Sequence, residues 1–251
     1  MATDAEWHDL IVAAQVDSVA VVKADTFIEA WHTASRPVAM ECDDGTTYVL
    51  KACQPANPGM PKVMAAEQVV ARLGGIIHAP VPSVTLVDVE PDLIAAEPQM
   101  AHMSPGIAHA SRRIPNCTDR LNIEAPGSDA NGEAYARLAV LYGWVTADDH
   151  QIIRTRDSAA SVYSVDHGHF FPGGPNWSAA TLATPGAATP DQMLVNAGAD
   201  AATVQGALAD ARQIPDEGIA RVIGWVQPSW GVPIADLVAL GKYLSDRRDT
   251  L

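Results

Sequence analysis

Ionisable residues in this sequence stand in an order that suits the transfer of a phosphoryl group. Lys51 lies near the end of a predicted strand, and Glu67 lies in the predicted helix that follows. Asp148 and Asp149 come after a second helix, and Asp166 ends a later strand. A strand lysine can neutralise phosphate charge, a helical glutamate can fix that lysine, and aspartates can orient an attacking hydroxyl and hold Mg²⁺. The order therefore favours phosphoryl transfer.

Each of these residues also has a purely structural interpretation. Lys51 could be a solvated strand end, and Glu67 could belong to an exposed helix face. Asp148 and Asp149 could cap a helix or begin a turn, which is the common role of paired aspartates. Asp166 could begin an ordinary turn between a strand and a loop. The functional interpretation depends on the combination and order of the residues, not on any one of them.

The first third of the chain predicts a small, largely antiparallel sheet that carries one helix. The predicted elements are strands over 38–42, 47–53, 83–89 and 92–97 and a helix over 62–73. Asp43-Asp44-Gly45-Thr46 between the first two strands is a hairpin signal, because glycine tolerates the positive φ of a tight turn. The helix follows from its apolar spacing, and Gly74-Gly75 would end it.

The remainder of the chain predicts a mostly helical half. Residues 100–132 are rich in Pro, Ser, Asn and Gly and predict loops. The elements predicted beyond them are helices over 133–145, 191–196, 201–213, 216–225 and 233–248 and short strands over 151–155 and 161–165. Strands with one helix, followed by helices with a short hairpin, indicate an α+β fold.

Composition excludes several classes of protein. The 251 residues are 48% hydrophobic and 18% charged, which is enough apolar material for a core and excludes a disordered chain. A net charge of −14 leaves no basic footprint for nucleic acid or for an anionic membrane. No segment approaches ~18 apolar residues, and the acidic N-terminus does not resemble a signal peptide. Three cysteines without CxxC spacing predict neither disulfides nor zinc. We expect an acidic, soluble, cytoplasmic protein.

These motifs resemble those of the HipA-like kinases, a compact family of the protein-kinase-like and phosphatidylinositol-kinase-like group. The resemblance runs from about residue 15 to the C-terminus. Its most specific pieces are Asp148-Asp149-His150 after a helix and Val165-Asp166-His167-Gly168 after a strand. The hairpin that ends in Lys51, the helical segment around Glu67 and a closing segment over 243–248 are less specific matches.

The resemblance implies a two-lobed, protein-kinase-like fold of the α+β class. Its N-lobe would span 1–99 and its mostly helical C-lobe would span 100–251, with ATP and Mg²⁺ bound between them. The implied reaction is transfer of the ATP γ-phosphoryl group to a hydroxyl acceptor, either a protein serine or threonine or the kinase itself.

The resemblance also implies roles for individual residues. Lys51 would contact the ATP phosphates, and Glu67 would pair with Lys51. Asp148 would be the catalytic base, and Asp166 would be the Mg²⁺ ligand. A carboxylate suits Mg²⁺ because it supplies hard oxygen ligands at neutral pH.

Two departures from the family pattern leave other functions open. The family has an asparagine as second metal ligand shortly after Asp-Asp-His, where this chain has Gln151, whose amide oxygen could substitute. The predicted phosphate-covering loop over 31–35 contains no glycine, so Thr33 and Ser35 would have to donate hydrogen bonds instead. A catalytically weak pseudokinase that binds nucleotide or a partner is therefore one alternative. An interaction protein that uses the fold without nucleotide is another.

Overall fold

A five-stranded barrel and a group of helices make up the computed structural model, which describes residues 2–15, 21–118 and 130–251. The barrel strands are β1 (Val22–Ala30), β2 (Val38–Cys42), β3 (Thr47–Lys51), β4 (Val84–Val89) and β5 (Gly106–Arg112). A separate two-stranded sheet contains β6 (Gln151–Arg154) and β7 (Val162–Val165). The described helices are α1 (Asp4–Ala13), α2 (Met60–Ile76), α3 (Pro91–Ala96), α4 (Gly132–Val145), α5 (Ala179–Leu182), α6 (Gln192–Asn196), α7 (Ala201–Arg212), α8 (Asp216–Ile223) and α9 (Ile234–Arg248). The protein is thus a mixed α+β structure.

Neighbouring barrel strands are antiparallel except at the closure between β1 and β4. The strand order is β1-β2-β3-β5-β4, and the barrel closes through a short parallel pairing of Val22 with Val87 and Lys23 with Asp88. The prediction of a largely antiparallel sheet is confirmed. Its closure into a barrel was not predicted, because pairing between strands so far apart in sequence leaves no local signal.

The β2–β3 hairpin forms where the Asp-Gly signal predicted it. Gly45 has φ of 73° and its amide donates to the Cys42 carbonyl at 2.8 Å. Asp44 stabilises the turn from its side chain, accepting from the Thr46 amide at 2.9 Å and from the Tyr48 hydroxyl at 2.8 Å. The hairpin fixes the register of β3 and so the position of Lys51 at its end.

Two predictions for the middle of the chain are wrong. The segment predicted as a strand over 92–97 is helix α3, because Pro91 occupies the first helical position, where its missing N–H costs nothing. The segment over 100–132, predicted as loops, contains β5. This strand has weak intrinsic β-propensity but pairs with β3 on one side and β4 on the other, so tertiary pairing overrides the local preference. Residues 119–129 of that predicted loop lie outside the described residues.

The N-terminal third has more helix than the one helix predicted there. Helix α2 is longer than expected and continues through Gly74-Gly75. Gly74 does not end the helix but allows close packing, since a Cβ there would lie 2.8 Å from Val81.

Helix α1 was not predicted and packs on α8 and α9. Its buried Trp7 lies against Gly241, where a Cβ would approach the indole to 2.5 Å. The boundary at residue 99 between two lobes stays a prediction.

Two clusters of buried apolar side chains form the core. One fills the barrel and includes Met40, Leu50 and Val87. The larger cluster joins α1, α2, α4 and the C-terminal helices, with Trp144 and Tyr243 among its largest members. The predicted helices of the last third and the β6–β7 hairpin are confirmed, with ends shifted by a few residues. In the part of the chain that the structure describes, no helix is both long and apolar enough to cross a bilayer.

We expect the two glycines Gly143 and Gly206 to respond oppositely to alanine. A Cβ at Gly143, inside α4, would collide with the Thr189 backbone, with the carbonyl carbon at 2.6 Å, so Gly143→Ala should destabilise the fold by ~2 kcal/mol. Gly206 lies exposed in α7 with nothing near its Cβ position, so Gly206→Ala should stabilise by up to ~1 kcal/mol. Urea unfolding measures both. Equal effects would contradict the packing of α4.

Candidate functional site

Lys51 is a buried ammonium that bridges three chain segments. It is the last residue of β3 and has only 6% of its side chain exposed. Its Nζ donates to Glu67 Oε1 on α2 and, at 2.6 Å, to Asp166 Oδ1 after β7. The structure therefore brings together three of the residues singled out from the sequence.

Helix α2 presents Glu67 to this lysine from a firmly held position. Near the N-terminus of α2, Lys62 donates to the Trp177 carbonyl at 2.6 Å and pairs with Asp236 on α9 at 2.8 Å. Just after Glu67, the Gln68 amide donates to the Thr85 carbonyl of β4 at 2.8 Å. The helix is thus attached both to the barrel and to the helical part, and Glu67 is buried between these attachments.

Charge pairing outweighs burial at this site. Burial alone lowers the pKa of Lys51, but the carboxylates of Glu67 and Asp166 reverse this and hold the pKa above its usual value of 10.5. Burial alone raises the pKa of Glu67, but the Lys51 ammonium, followed by His167, holds it well below 4.5. Both groups are therefore charged at neutral pH, as a buried ion pair with matched partners must be.

Asp166 lies directly after β7 in a backbone conformation that is uncommon for residues other than glycine. Its φ of 58° is in the left-handed region, which aspartate adopts more readily than most residues. The chain then passes close to α2 at Gly168, where a Cβ would lie 2.6 Å from Val63. The Asp166 side chain is 28% exposed, so its carboxylate faces both Lys51 and solvent.

The predicted catalytic loop lies between α4 and β6. Thr146 ends α4 with φ of 58°, and Asp149 has φ of 52°, so this loop also takes uncommon backbone conformations. Asp148 is exposed, and its Oδ1 accepts from the Asp149 amide at 2.9 Å. Gln151 pairs across the hairpin with Val165, which places it beside Asp166 along the chain. Its amide nitrogen donates to Asp149 Oδ2 at 3.0 Å.

Thr33 and Ser35 lie in the turn between β1 and β2 and have no direct contact with Lys51 in the described residues. The turn is closed by a hydrogen bond from the Arg36 amide to the Thr33 carbonyl at 3.1 Å, and Arg36 takes the left-handed conformation with φ of 44°. The side-chain amide of Gln54 donates to the Ser35 carbonyl at 2.6 Å. The turn thus has a fixed shape without glycine.

The donor atoms around Asp166 fit a Mg²⁺ ion that phosphates help to hold. Asp166 offers a carboxylate and Gln151 an amide oxygen, both hard donors. Among the described residues, no group of three or more His, Cys, Asp or Glu side chains could hold a metal by itself. Mg²⁺ characteristically takes one or two protein oxygens and completes its shell with phosphate and water. The set is therefore adequate for a metal shared with a nucleotide and unsuited to an all-protein cage.

The space around the site restricts where a nucleotide could approach. The cavity lined by Glu67, Asp166 and His167 has a volume of ≈20 Å³, about enough for one water. This cavity is therefore too small for a phosphate group. A groove of ≈760 Å³ between α2 and α8, lined in part by Arg72 and Trp225, contains none of the predicted site residues.

Two buried histidines next to the ion pair were given no role in the site predicted from the sequence. His167 is 2% exposed, and its Nδ1 lies 3.4 Å from Glu67 Oε2. His109 pairs with Lys51 between β3 and β5, and burial lowers its pKa to about 3, so it is neutral. His167 follows Asp166 in sequence, but nothing in the local pattern shows that its ring turns inward toward α2.

Comparison with known proteins relates the chain to kinases. A family model described as HipA-like kinase matches residues 28–159, more than half of the sequence, and the chain belongs to this family. The matched segment contains Lys51, Glu67 and Asp148, whereas Asp166 lies beyond it. Family membership supports a kinase-like function of the phosphotransferase class.

Similarity to solved structures is remote, and none to curated proteins is detected. The crystal structure of the Golgi casein kinase has a TM-score of 0.45 and 8% identity, over 99% of this chain and 76% of that chain. No curated protein matches the sequence.

We expect the stability lost in Glu67→Gln to depend on pH. Removing one partner of a buried pair should cost roughly 3 kcal/mol at neutral pH. Because folding lowers the pKa of Glu67, its contribution is present above pH 4.5 and is lost as the pH falls further. Because folding raises the pKa of Lys51, the contribution of that group is present below pH 10.5 and is lost as the pH rises through the higher folded value.

Urea unfolding of wild type and Glu67→Gln at neutral and acidic pH measures this difference. It should narrow steadily as the pH falls below 4.5, the usual value for Glu67. Glu41→Gln, which alters an exposed carboxylate on β2, is the matched control and should stay within ~0.5 kcal/mol of wild type. A gap between wild type and Glu67→Gln that is constant across the pH range would contradict an ionised, paired Glu67.

Proposed function

We propose that this protein transfers the γ-phosphoryl group of ATP to a hydroxyl, on a protein serine or threonine or on itself. The observation that carries the proposal is the buried Lys51 ammonium held by Glu67 of α2 and Asp166 after β7. The barrel and the helical part would act as the two lobes, with the cleft at Lys51. The choice of acceptor belongs to the same proposal and rests only on the resemblance to HipA-like kinases, and a cytoplasmic location is proposed from the composition.

Each side chain has a definite task in this reaction. Lys51 neutralises phosphate oxygens, and Glu67 holds the ammonium at the end of β3 so that it does not have to be ordered when substrate binds. Asp166 and Gln151 would hold Mg²⁺, which when bound offsets the negative charge of the phosphates. Asp148 is exposed in the loop before β6, where it can accept the proton of an incoming hydroxyl.

Two observations favour the alternative of a pseudokinase that binds nucleotide with little turnover. The Gln151 amide is engaged by Asp149, which directs part of this side chain away from a metal. The β1–β2 turn uses Arg36 where close backbone approach to phosphates is easier with glycine. Both features weaken metal and phosphate binding without removing Lys51, Glu67 or Asp166.

Binding of Mg²⁺·ATP should raise the thermal stability of the wild-type protein. A ligand at ~100 times its dissociation constant stabilises by roughly 2.7 kcal/mol, which corresponds to several degrees for a chain of this size. The shift should require Mg²⁺ and should disappear in Asp166→Ala. Differential scanning fluorimetry with ATP, with and without Mg²⁺, measures it. If millimolar Mg²⁺·ATP does not raise the melting temperature of the wild type, the proposal of nucleotide binding fails. The remaining hypothesis is then an interaction protein that uses the fold without nucleotide.

Replacing Asp148 should separate chemistry from nucleotide binding. A general base typically contributes 10²–10⁴-fold, so Asp148→Asn should lower phosphoryl transfer by about 100-fold or more while keeping the ATP-dependent thermal shift. Incorporation of radiolabelled phosphate into a generic protein substrate and into the kinase itself measures transfer. Asp149→Asn is the matched control in the same loop, and it should lower phosphoryl transfer less than Asp148→Asn does. Absent transfer in wild type, with a Mg²⁺-dependent shift, would favour the pseudokinase.

A further inference from the structure

His167 is buried at the centre of a polar chain that joins α4 to the ion pair. Its Nε2 lies 2.9 Å from Ser164 Oγ on β7, and Ser164 Oγ lies 2.6 Å from the Tyr142 hydroxyl on α4. On the other side of the ring, Nδ1 lies 3.4 Å from Glu67 Oε2. The chain therefore runs from Tyr142 through Ser164 and His167 to Glu67.

The carboxylate end decides which ring nitrogen must carry a proton, and a neutral ring then gives the rest of the chain its direction. The ionised carboxylate of Glu67 can only accept hydrogen bonds, so the ring nitrogen that faces it must carry the proton. A neutral imidazole with its proton on Nδ1 has an acceptor at Nε2, which takes the Ser164 hydroxyl proton. The Tyr142 hydroxyl then donates to Ser164 Oγ. In this arrangement the hydroxyls of Tyr142 and Ser164 each have one acceptor.

One atom of the chain lacks a close partner in this conformation. His167 Nδ1 is fully buried and makes no well-aligned hydrogen bond to a described residue, and Glu67 Oε2, at 3.4 Å, is the carboxylate oxygen that it faces. Leaving such a donor unpaired is costly, and native structures rarely do so without a reason. Phe170 packs edge-on against the ring with centroids 5.1 Å apart and holds the imidazole toward α2.

We propose that His167 is a positioning residue that holds the second carboxylate oxygen of Glu67, so that the first oxygen stays on Lys51. Through Ser164 and Tyr142 it fastens this pair to α4, the helix that leads into the Asp148 loop. A role in packing alone is a poor explanation, because an apolar ring could pack on Phe170 without burying a ring nitrogen that needs a partner. The effect on turnover rests on the proposed phosphotransferase function, whereas the hydrogen bond itself does not.

The hydrogen bond can be tested without any activity. In ¹⁵N-histidine-labelled protein, NMR distinguishes the two neutral tautomers, and His167→Gln assigns the signal of His167. We expect the Nδ1–H tautomer, with a downfield N–H proton that moves in Glu67→Gln. Leu240→Ala, a buried change on α9 away from the site, should leave the signal in place. An Nε2–H tautomer, or a signal insensitive to Glu67→Gln, would overturn the proposal.

A matched pair of variants tests the positioning role in turnover. His167→Asn places an amide nitrogen near the position of Nδ1, whereas His167→Gln reaches toward Ser164 and leaves Glu67 without a donor. We expect His167→Gln to lower kcat/KM for ATP about tenfold, equivalent to ~1.4 kcal/mol. We expect His167→Asn to stay within about twofold of wild type.

A double-mutant comparison separates positioning from general destabilisation. If His167 acts through Glu67, adding His167→Gln to Glu67→Gln should change kcat/KM by less than about twofold. Independent, multiplying losses would overturn the proposal, as would equal losses in His167→Asn and His167→Gln. If wild type shows no phosphoryl transfer, the proposed function fails, and the NMR result still decides whether His167 holds Glu67.

Discussion

A lysine ammonium cannot be buried without anionic partners, and in this protein that requirement falls on Lys51. At 6% exposure its charge is compensated by Glu67 and Asp166, which come from a helix and from a loop 115 residues further along the chain. The free-energy cost of desolvating the three charged groups is offset by their mutual attraction only while all three stay in place. The ion pair therefore makes the barrel, α2 and the segment after β7 depend on one another.

Contacts in the rest of the structure keep Lys51, Glu67 and Asp166 in their relative positions. Helix α2 is attached to α9 through Lys62 and to β4 through Gln68, and it spans the larger hydrophobic core. The last turns of α2 are held as well. Arg72 Nε donates to Gln68 Oε1 at 3.0 Å, and the Arg72 guanidinium carbon lies 3.5 Å from the centroid of the Trp225 ring, just after α8. Few rotations of α2 would leave all of these contacts intact. Glu67 is thus a rigidly placed carboxylate rather than a mobile surface charge.

Three of the eight described non-glycine residues with positive φ lie in the loops on either side of the β6–β7 hairpin. Asp149 and Asp166, both non-glycine residues with positive φ, flank the β6–β7 hairpin, and Thr146 precedes them at the end of α4. Strained residues persist where surrounding contacts over-determine the conformation, and they cluster at functional sites. Here the hairpin pairs Gln151 with Val165, so the two loops are held side by side by strand pairing.

The sequence by itself determined the elements whose signals are local. The Asp-Gly turn predicted the β2–β3 hairpin, and apolar spacing predicted α2, α4 and the C-terminal helices. The pairing of Glu67 with Lys51 was also predicted, whereas the contact of Asp166 with Lys51 was not. Turn chemistry and helical periodicity act within a few residues, so they can be recognised without the fold.

Only the tertiary structure decided the rest. The strand β5 exists because β3 and β4 offer hydrogen bonds on both sides. The inward orientation of His167 depends on Ser164 and Phe170, and the passage of α2 through Gly74 depends on Val81. These features result from contacts between segments distant in sequence or from the direction of a single side chain. Neither leaves a periodic or compositional trace in the chain.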